Sequence, residues 1–324
     1  MCCMHLVGDD KLSPKSITKL YFVLLFIMFI QVSGCVATDP YERNCDVPET
    51  DVNATKHKAS GIILNGASES IIQSCVCNEN ADHGIFVIYA SGTTFATSTE
   101  EVTLIGNTCI NNGYTGIQVS DSSDVTIEAN NCRHNDRQGI RLNRSEGCSV
   151  IANKCVQAGG GDATFSGIFV NESEYCIVSG NTSKENGNIG IYLGSSNRCI
   201  VSGNTCSGNG GSGIRAGTST RESSDNTVTG NECIGNALYG IGVTGHQNTL
   251  TGNSCNENQS GIAVFTATYN NVQSNMCADN DEYGIYLGVN SANNFVTNND
   301  LIGNLLGGID DNGTSNATTP GNRS

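Results

Sequence analysis

Asn197-Arg-Cys-Ile-Val-Ser-Gly-Asn204-Thr-Cys-Ser-Gly-Asn209-Gly-Gly-Ser-Gly213-Ile-Arg-Ala216 is one unit of a repeat. Its Gly-Ile step recurs at Gly61, Gly84, Gly116, Gly139, Gly167, Gly190, Gly213, Gly240, Gly261, Gly284 and Gly308, most often 23 residues apart. Three intervals are longer, 84→116, 139→167 and 213→240. Stacking the units produces columns. One is isoleucine, from Ile62, Ile85 and Ile117 to Ile309, with an apolar residue two positions on (Leu64, Val87, Val119, Leu142). Apolar residues at i and i+2 mark one face of a short strand. A second apolar column runs through Ile72, Leu104, Ile127, Val150, Val178 and Val201 to Val296. A third is cysteine: Cys77, Cys109, Cys132, Cys155, Cys206, Cys233, Cys255 and Cys277, with Ser183 and Leu301 in the gaps.

Three inward columns per unit predict three short strands per coil around a narrow core. No unit buries its apolar face alone. Stacking like on like at the ~4.8 Å strand spacing buries it and pairs the backbones. The reading is an all-β parallel solenoid of about ten coils. Two asparagine columns, Asn107 to Asn299 and Asn112 to Asn304, fall at turns. Asparagine tolerates the left-handed backbone of sharp turns, and its amide can link to the copies above and below.

The motif Asn-x-Val-x-Gly-Asn-x-Cys…Gly-Ile-x-Val resembles the PbH1 type of right-handed parallel β-helix repeat over residues 60–309. That repeat occurs in pectate lyases, polygalacturonases, alginate epimerases and periplasmic NosD-type proteins. The resemblance implies a right-handed parallel β-helix. It says little about activity, because one scaffold carries many.

Outside the repeat, the order is a leader (1–34), a tether or cap (35–59), the solenoid (60–311) and a flexible tail (312–324). Lys11, Lys15 and Lys19 precede an apolar run over 20–30. That run is shorter than the ~20 residues of a membrane span and suits a signal peptide. Val32-Ser33-Gly34-Cys35 follows and resembles a lipobox, which makes Cys35 the lipidation candidate and the protein an extracytoplasmic, membrane-anchored one. Ordinary cleavage near Gly34 or Ala37, or an uncleaved anchor, is the alternative. The chain beyond the leader has 13 basic and 29 acidic residues, a poor surface for nucleic acid. Asp310 and Asp311 interrupt the apolar columns and are expected to end the solenoid.

Sixteen cysteines in an exported chain would ordinarily predict disulfides. In-register stacked cysteines point the same way, with Cβ atoms near the strand spacing rather than the ~3.8 Å a disulfide wants. Most are expected to be buried free thiols. Cys148, Cys176 and Cys199 share a column with Asn226, Asn248 and Asn270. No metal or other cofactor is expected, since zinc needs converging ligands. A NosD-like copper site lacks a soft-ligand cluster among Met276, His57, His83, His134 and His246. Asn-x-Ser/Thr occurs at Asn53, Asn143, Asn171, Asn181, Asn258, Asn312, Asn316 and Asn322.

The outward position of the Gly-Ile strand reads Phe86, Gln118, Arg141, Phe169, Tyr192, Arg215, Gly242, Ala263, Tyr286. Aromatics beside arginines suit sugar rings and uronate carboxylates, so Phe86, Arg141, Phe169, Tyr192, Arg215 and Tyr286 form the candidate binding set. The plainer reading is that aromatics favour strands. A polar cluster in the first half comprises Asp82, His83, Asp121, Arg133, His134, Asp136, Arg137, Arg141, Arg144 and Glu172. It is either a surface charge ladder or a lyase- or epimerase-like site. In the second case Arg141 or Arg137 neutralises a uronate and His83 or His134 is the base. The acidic pairs and Gly-His-Gly run of polygalacturonases, the calcium-binding aspartates of pectate lyases and the Asp-Pro-His run of alginate epimerases have no counterpart, so no catalytic residue is assigned. Two functions stay open: a non-catalytic cell-surface module that contacts an envelope glycan or other polysaccharide, and a lyase, hydrolase or C5-epimerase acting on an acidic glycan.

Overall fold

The computed structural model describes residues 49–66, 70–89, 102–159, 165–318 and 321–323. The leader, Cys35 and nearly all of two long inserts (90–101 and 160–164) lie outside the described residues. What is described is all β, with strand pairing parallel throughout the three sheets of 12, 11 and 7 strands. Each coil contributes one strand to the valine sheet, one to the cysteine sheet over its central span, and one to the Gly-Ile sheet. No helix occurs among the described residues.

The sequence columns are the sheet registers. Ile117, Ile140, Ile168, Ile191 and Ile214 are successive partners. Val150, Val178, Val201 and Val228 are another run. All of these side chains are wholly buried, each burial contributing roughly 1.5–3 kcal/mol. Glycine before the isoleucine is forced by close approach: a Cβ on Gly190 would stand 2.5 Å from the Gly213 carbonyl oxygen and 3.2 Å from Cys206 Cβ. The twelve described cysteines are free and buried. Burial pushes the thiols of Cys155, Cys206 and Cys255 well up, so they stay protonated in the core. Ser183 fits the cysteine column because its hydroxyl donates to the Gly190 carbonyl at 2.7 Å and accepts from Asn186 Nδ2 at 3.0 Å.

The corners correct one expectation. The left-handed residue at each turn is not the ladder asparagine but the residue before it: Ala129, Ala152, Gly180 and Gly203 before Asn130, Asn153, Asn181 and Asn204, and His134 and Glu185 before Asn135 and Asn186. The asparagines are selected for hydrogen bonding instead. Asn204 Oδ1 accepts from the backbone and side-chain amides of Asn181 at 2.8 and 3.0 Å, and its Nδ2 donates to the Val178 carbonyl at 2.9 Å and to Asn231 Oδ1 at 2.9 Å. The amide thereby satisfies corner groups that neither strand can reach.

Both ends depart from the expected boundaries. Glu49–Thr50 pairs with Ile71–Gln73, and Asn53 bridges Val76, so residues 49–59 include part of a first coil. At the other end Ala317–Thr318 pairs with Phe295–Thr297, and Asn316 and Asn322 accept from Asn294 and Asn299. The described part of 312–324 is therefore one more partial coil, not a flexible tail. Asparagines in register extend the ladders without an apolar column. The coil continues past Asp310 and Asp311, the latter accepting from the Gly313 amide and Asn316 Nδ2. Asn143, Asn171, Asn181 and Asn258 are buried, so the glycosylation triplets there are inaccessible.

Candidate functional site

Alternation on a strand sends every second side chain outward, and the Gly-Ile sheet sets these in rows. Strand register places Phe86, Gln118, Arg141, Phe169, Tyr192 and Arg215 on consecutive coils. Gly242, Ala263, Tyr286 and Asp310 continue the row. Phe169 and Tyr192 stack with centroids 4.7 Å apart and planes 5° from parallel. The Arg141 guanidinium lies 5.5 Å from the Phe169 centroid. Arg141 donates to Asn143 Oδ1 at 3.3 Å and Arg215 donates from Nε to the Gly217 carbonyl at 3.1 Å. Both arginines thus lean toward the same edge of the sheet.

That edge holds a chain the sequence did not reveal. Asn171 donates to Asn143 Oδ1 at 2.8 Å, and Arg221 donates to Asn171 Oδ1 from 50 residues further on. Arg221 comes from the insert of the 213→240 interval, where Thr218 and Arg221 exchange backbone hydrogen bonds in a tight turn. Its neighbour Glu222 lies 3.3 Å from His246. The insert is therefore held at both sides of the coil it leaves. An off-register residue has no column to announce it, so Arg221 was invisible to repeat reading.

The opposite edge gathers His83, Tyr114, Phe165 and Arg137. The Arg137 guanidinium covers the Tyr114 ring at 3.6 Å and the Phe165 ring at 5.4 Å, and it donates to the Tyr114 hydroxyl. His83 packs against Tyr114 at 4.8 Å and Phe86 at 5.0 Å. Its Nε2 is 3.5 Å from Asp82, its Nδ1 is buried, and the Thr115 backbone lies within hydrogen-bonding reach of the ring. Burial brings the His83 pKa down to about 4, Asp82 opposing this and Arg141 and Arg137 reinforcing it. The imidazole is accordingly neutral near pH 7. Arg141 Nε and Gln118 Oε1 are buried and unpartnered. Desolvation, with Arg137, Arg221 and Arg144 nearby, makes the charge of Arg141 harder to hold.

Of the catalytic candidates, His83 and Arg137 meet on Tyr114 at one edge, while Arg141 leans to the other. His134 stands apart, exposed on the left-handed corner after strand Asn131–Arg133. Arg144 pairs with Asp121 at 2.7 and 2.8 Å, which is the surface charge ladder of the plainer reading. Tyr114 was missed although it had a signal: it lies 23 residues before Arg137, in the same column. Among the described residues, Arg137, Arg141, Arg215 and Arg221 have no carboxylate within ion-pair distance. These four guanidiniums lack ion-pair partners although the chain carries a formal charge of −15.

Two family descriptions match in tandem: periplasmic copper-binding protein (NosD) over residues 40–164 and right-handed beta helix region over 166–324. No curated protein matches the sequence. Among solved structures, the A-module of the Azotobacter vinelandii mannuronan C-5 epimerase AlgE4 is similar. It has a TM-score of 0.60 at 16% identity, over 84% of this chain and 89% of that one. A mutant of the periplasmic alginate epimerase AlgG has a TM-score of 0.54 at 16% identity, over 84% and 76%. The enzymatically active domain of bacteriophage CBA120 tailspike protein 2 has a TM-score of 0.54 at 11% identity, over 70% and 42%. At such identities the likeness is one of fold. Among the described residues no three His, Cys, Asp or Glu side chains are grouped as metal ligands. The thiols run single file in the core.

Proposed function

Because this chain is a right-handed parallel β-helix repeat protein, we propose that it is an exported, cell-surface module that grips an acidic glycan on its Gly-Ile sheet without transforming it. One observation carries the reading: the in-register row from Phe86 to Arg215, flanked by arginines that lack carboxylate partners. Successive coils are ~4.8 Å apart, close to one sugar of an extended chain along the axis. Stacked rings take pyranose faces and the guanidiniums take carboxylates. Export is supported by the 1–34 leader pattern and by the likeness to the periplasmic copper-binding NosD family and the periplasmic epimerase AlgG. Anchoring through Cys35 predicts that Cys35→Ser releases the protein from membranes, and retention of the variant would remove the anchor.

The test of the binding face is Tyr192→Ala combined with Arg215→Ala. Each contact is worth about 1–2 kcal/mol, so polyuronate affinity should fall by tens of fold. Circular dichroism should stay unchanged, because neither side chain enters the core. Equal affinity for variant and wild type, or no binding by wild type, defeats the reading.

One observation favours the second reading, a lyase or C5-epimerase: the neutral His83 packed on Tyr114, which Arg137 holds, one face away from Arg141 on the row. With a uronate carboxylate on Arg141, His83 would take the C5 proton. Tyr114, held by Arg137, would supply a proton to the opposite face or to the departing O4. Deuterium incorporation at C5, or the ultraviolet absorbance of an unsaturated uronate, lost in His83→Gln, decides for this reading.

A further inference from the structure

The row of the Gly-Ile sheet changes character after Arg215. Residues 222–322 contain ten carboxylates and no lysine or arginine. Over the same span the outward central positions shrink to Gly242 and Ala263, and Ala263 is wholly buried. Rings from both flanks cover them. Tyr239 comes within 3.5 Å of where a Gly242 Cβ would stand. Tyr239 and Phe265 have centroids 5.2 Å apart, Phe265 and Tyr286 5.7 Å, and Tyr286 and Tyr283 6.4 Å. The four rings are half-buried and make one continuous aromatic surface, joined to the cationic stretch where Arg215 lies 5.8 Å from Phe265.

We propose that Tyr239, Phe265, Tyr283 and Tyr286 form a second subsite, specific for uncharged pyranose rings. The C–H face of a pyranose is apolar and slightly positive, and it stacks on the negative face of an aromatic ring. The rim supplies what sugar hydroxyls need. Glu282 accepts from Gln259 at 3.0 Å and is 3.5 Å from the Ser260 hydroxyl, leaving lone pairs for a ligand. Glu282 and Asp310 disfavour acidic sugars at the Tyr283–Tyr286 end, while the nearest arginine, Arg215, stands at the Phe265 end. The subsite rests on the reading of this sheet as a glycan face. It extends that reading to a ligand with an acidic stretch followed by a neutral one, the two meeting at Arg215.

The competing account is that the rings merely cover the small residues beneath them. Calorimetric titration of the full chain with cellohexaose, mannohexaose and an oligomannuronate separates the two. Wild type should bind at least one neutral hexasaccharide. Tyr283→Ala with Tyr286→Ala should weaken that binding about tenfold or more, since two stacking contacts are removed. In Tyr283→Ala alone, whose ring lies outside the row from Phe86 to Tyr286, oligomannuronate binding should stay within about twofold. Tyr283→Phe with Tyr286→Phe, which keeps the rings, should retain neutral binding within about threefold. If the alanine pair does not fold, Tyr283→Ala alone carries the same expectation at roughly half the free-energy effect. Absence of neutral binding by wild type, or undiminished binding by the alanine variants, overturns the subsite. Loss of the oligomannuronate signal in wild type would instead strike the acidic-glycan function.

Discussion

Residues 102–221 and 222–322 build the same coil with different chemistry. The first stretch balances nine basic against nine acidic residues, while the second has ten acidic and no lysine or arginine. At one inward corner the first half places Cys148, Cys176 and Cys199, where the second places Asn226, Asn248, Asn270 and Asn294. On the outward row arginines and stacked rings give way to small residues under an aromatic cover. The backbone is indifferent to both exchanges. A corner needs a small side chain that fits the stack, and either a thiol or an amide meets that need. The sheet needs alternation, and any outward residue permits it. Architecture therefore resides in the columns that do not change, and function is to be sought where the outward rows do.

The corner exchange gives the largest expected effect. Asn248 Oδ1 accepts from Asn226 at 2.9 and 3.1 Å, and its Nδ2 donates to the Ser223 carbonyl at 3.0 Å. Asn248→Ala strands these buried groups and should cost about 4 kcal/mol in urea unfolding. Cys176→Ala, at the equivalent corner of the first half, loses only packing and a weak S–H contact, about 1–2 kcal/mol. Equal losses would mean that thiol and amide corners do the same work.

The next effect arises where His83, from the coil before the first stretch, packs on Tyr114 within it. His83 is held neutral by burial, its pKa lowered from 6.5 to about 4. Between those values the unfolded chain binds a proton that the native chain refuses. Stability is thus complete above pH 6.5 and declines as pH falls toward 4, by about 3 kcal/mol. Urea midpoints measured across that range should show this decline, and His83→Gln should flatten it. A variant with the parent's pH dependence would assign the decline to other groups.

A smaller effect sharpens the contrast between the faces. Arg141→Ala with Arg221→Ala should weaken polyuronate binding roughly ten- to thirtyfold and reduce its salt dependence. Neutral hexasaccharide binding should not move. A parallel loss of both would show one undivided surface.

The inward architecture was legible because stacking makes identical demands at every coil. Ile168, Val178 and Cys206 each announce a column, and the structure keeps each in register. The outward row from Phe86 to Tyr286 followed from the same register. The left-handed corners were misplaced by one residue, because Ala129 or Ala152 adopts that conformation under constraint from the ladder beside it, against its own preference. The site was legible only where it obeys the period. His83, Arg137 and Arg141 obey it and were named as candidates, but the packing of His83 and Arg137 on Tyr114 depends on side-chain reach, and Arg221 arrives from an insert that no period describes.

The asparagine ladder also has a direction. At each step the earlier coil provides the amide hydrogens and the later coil provides the oxygen, as from Asn181 to Asn204 to Asn231. A chain that emerges from a membrane N-terminus first would add coils in that same order. Each arriving asparagine quenches donors its predecessor left open, so growth proceeds from a template with a nearest-neighbour bonus. Drawn by force from the C-terminal end, the same molecule should shorten in quanta of one coil. Each step would lengthen the tether by about 75–80 Å at the contour length of an extended chain, and steps of another size would show that the coils do not act singly.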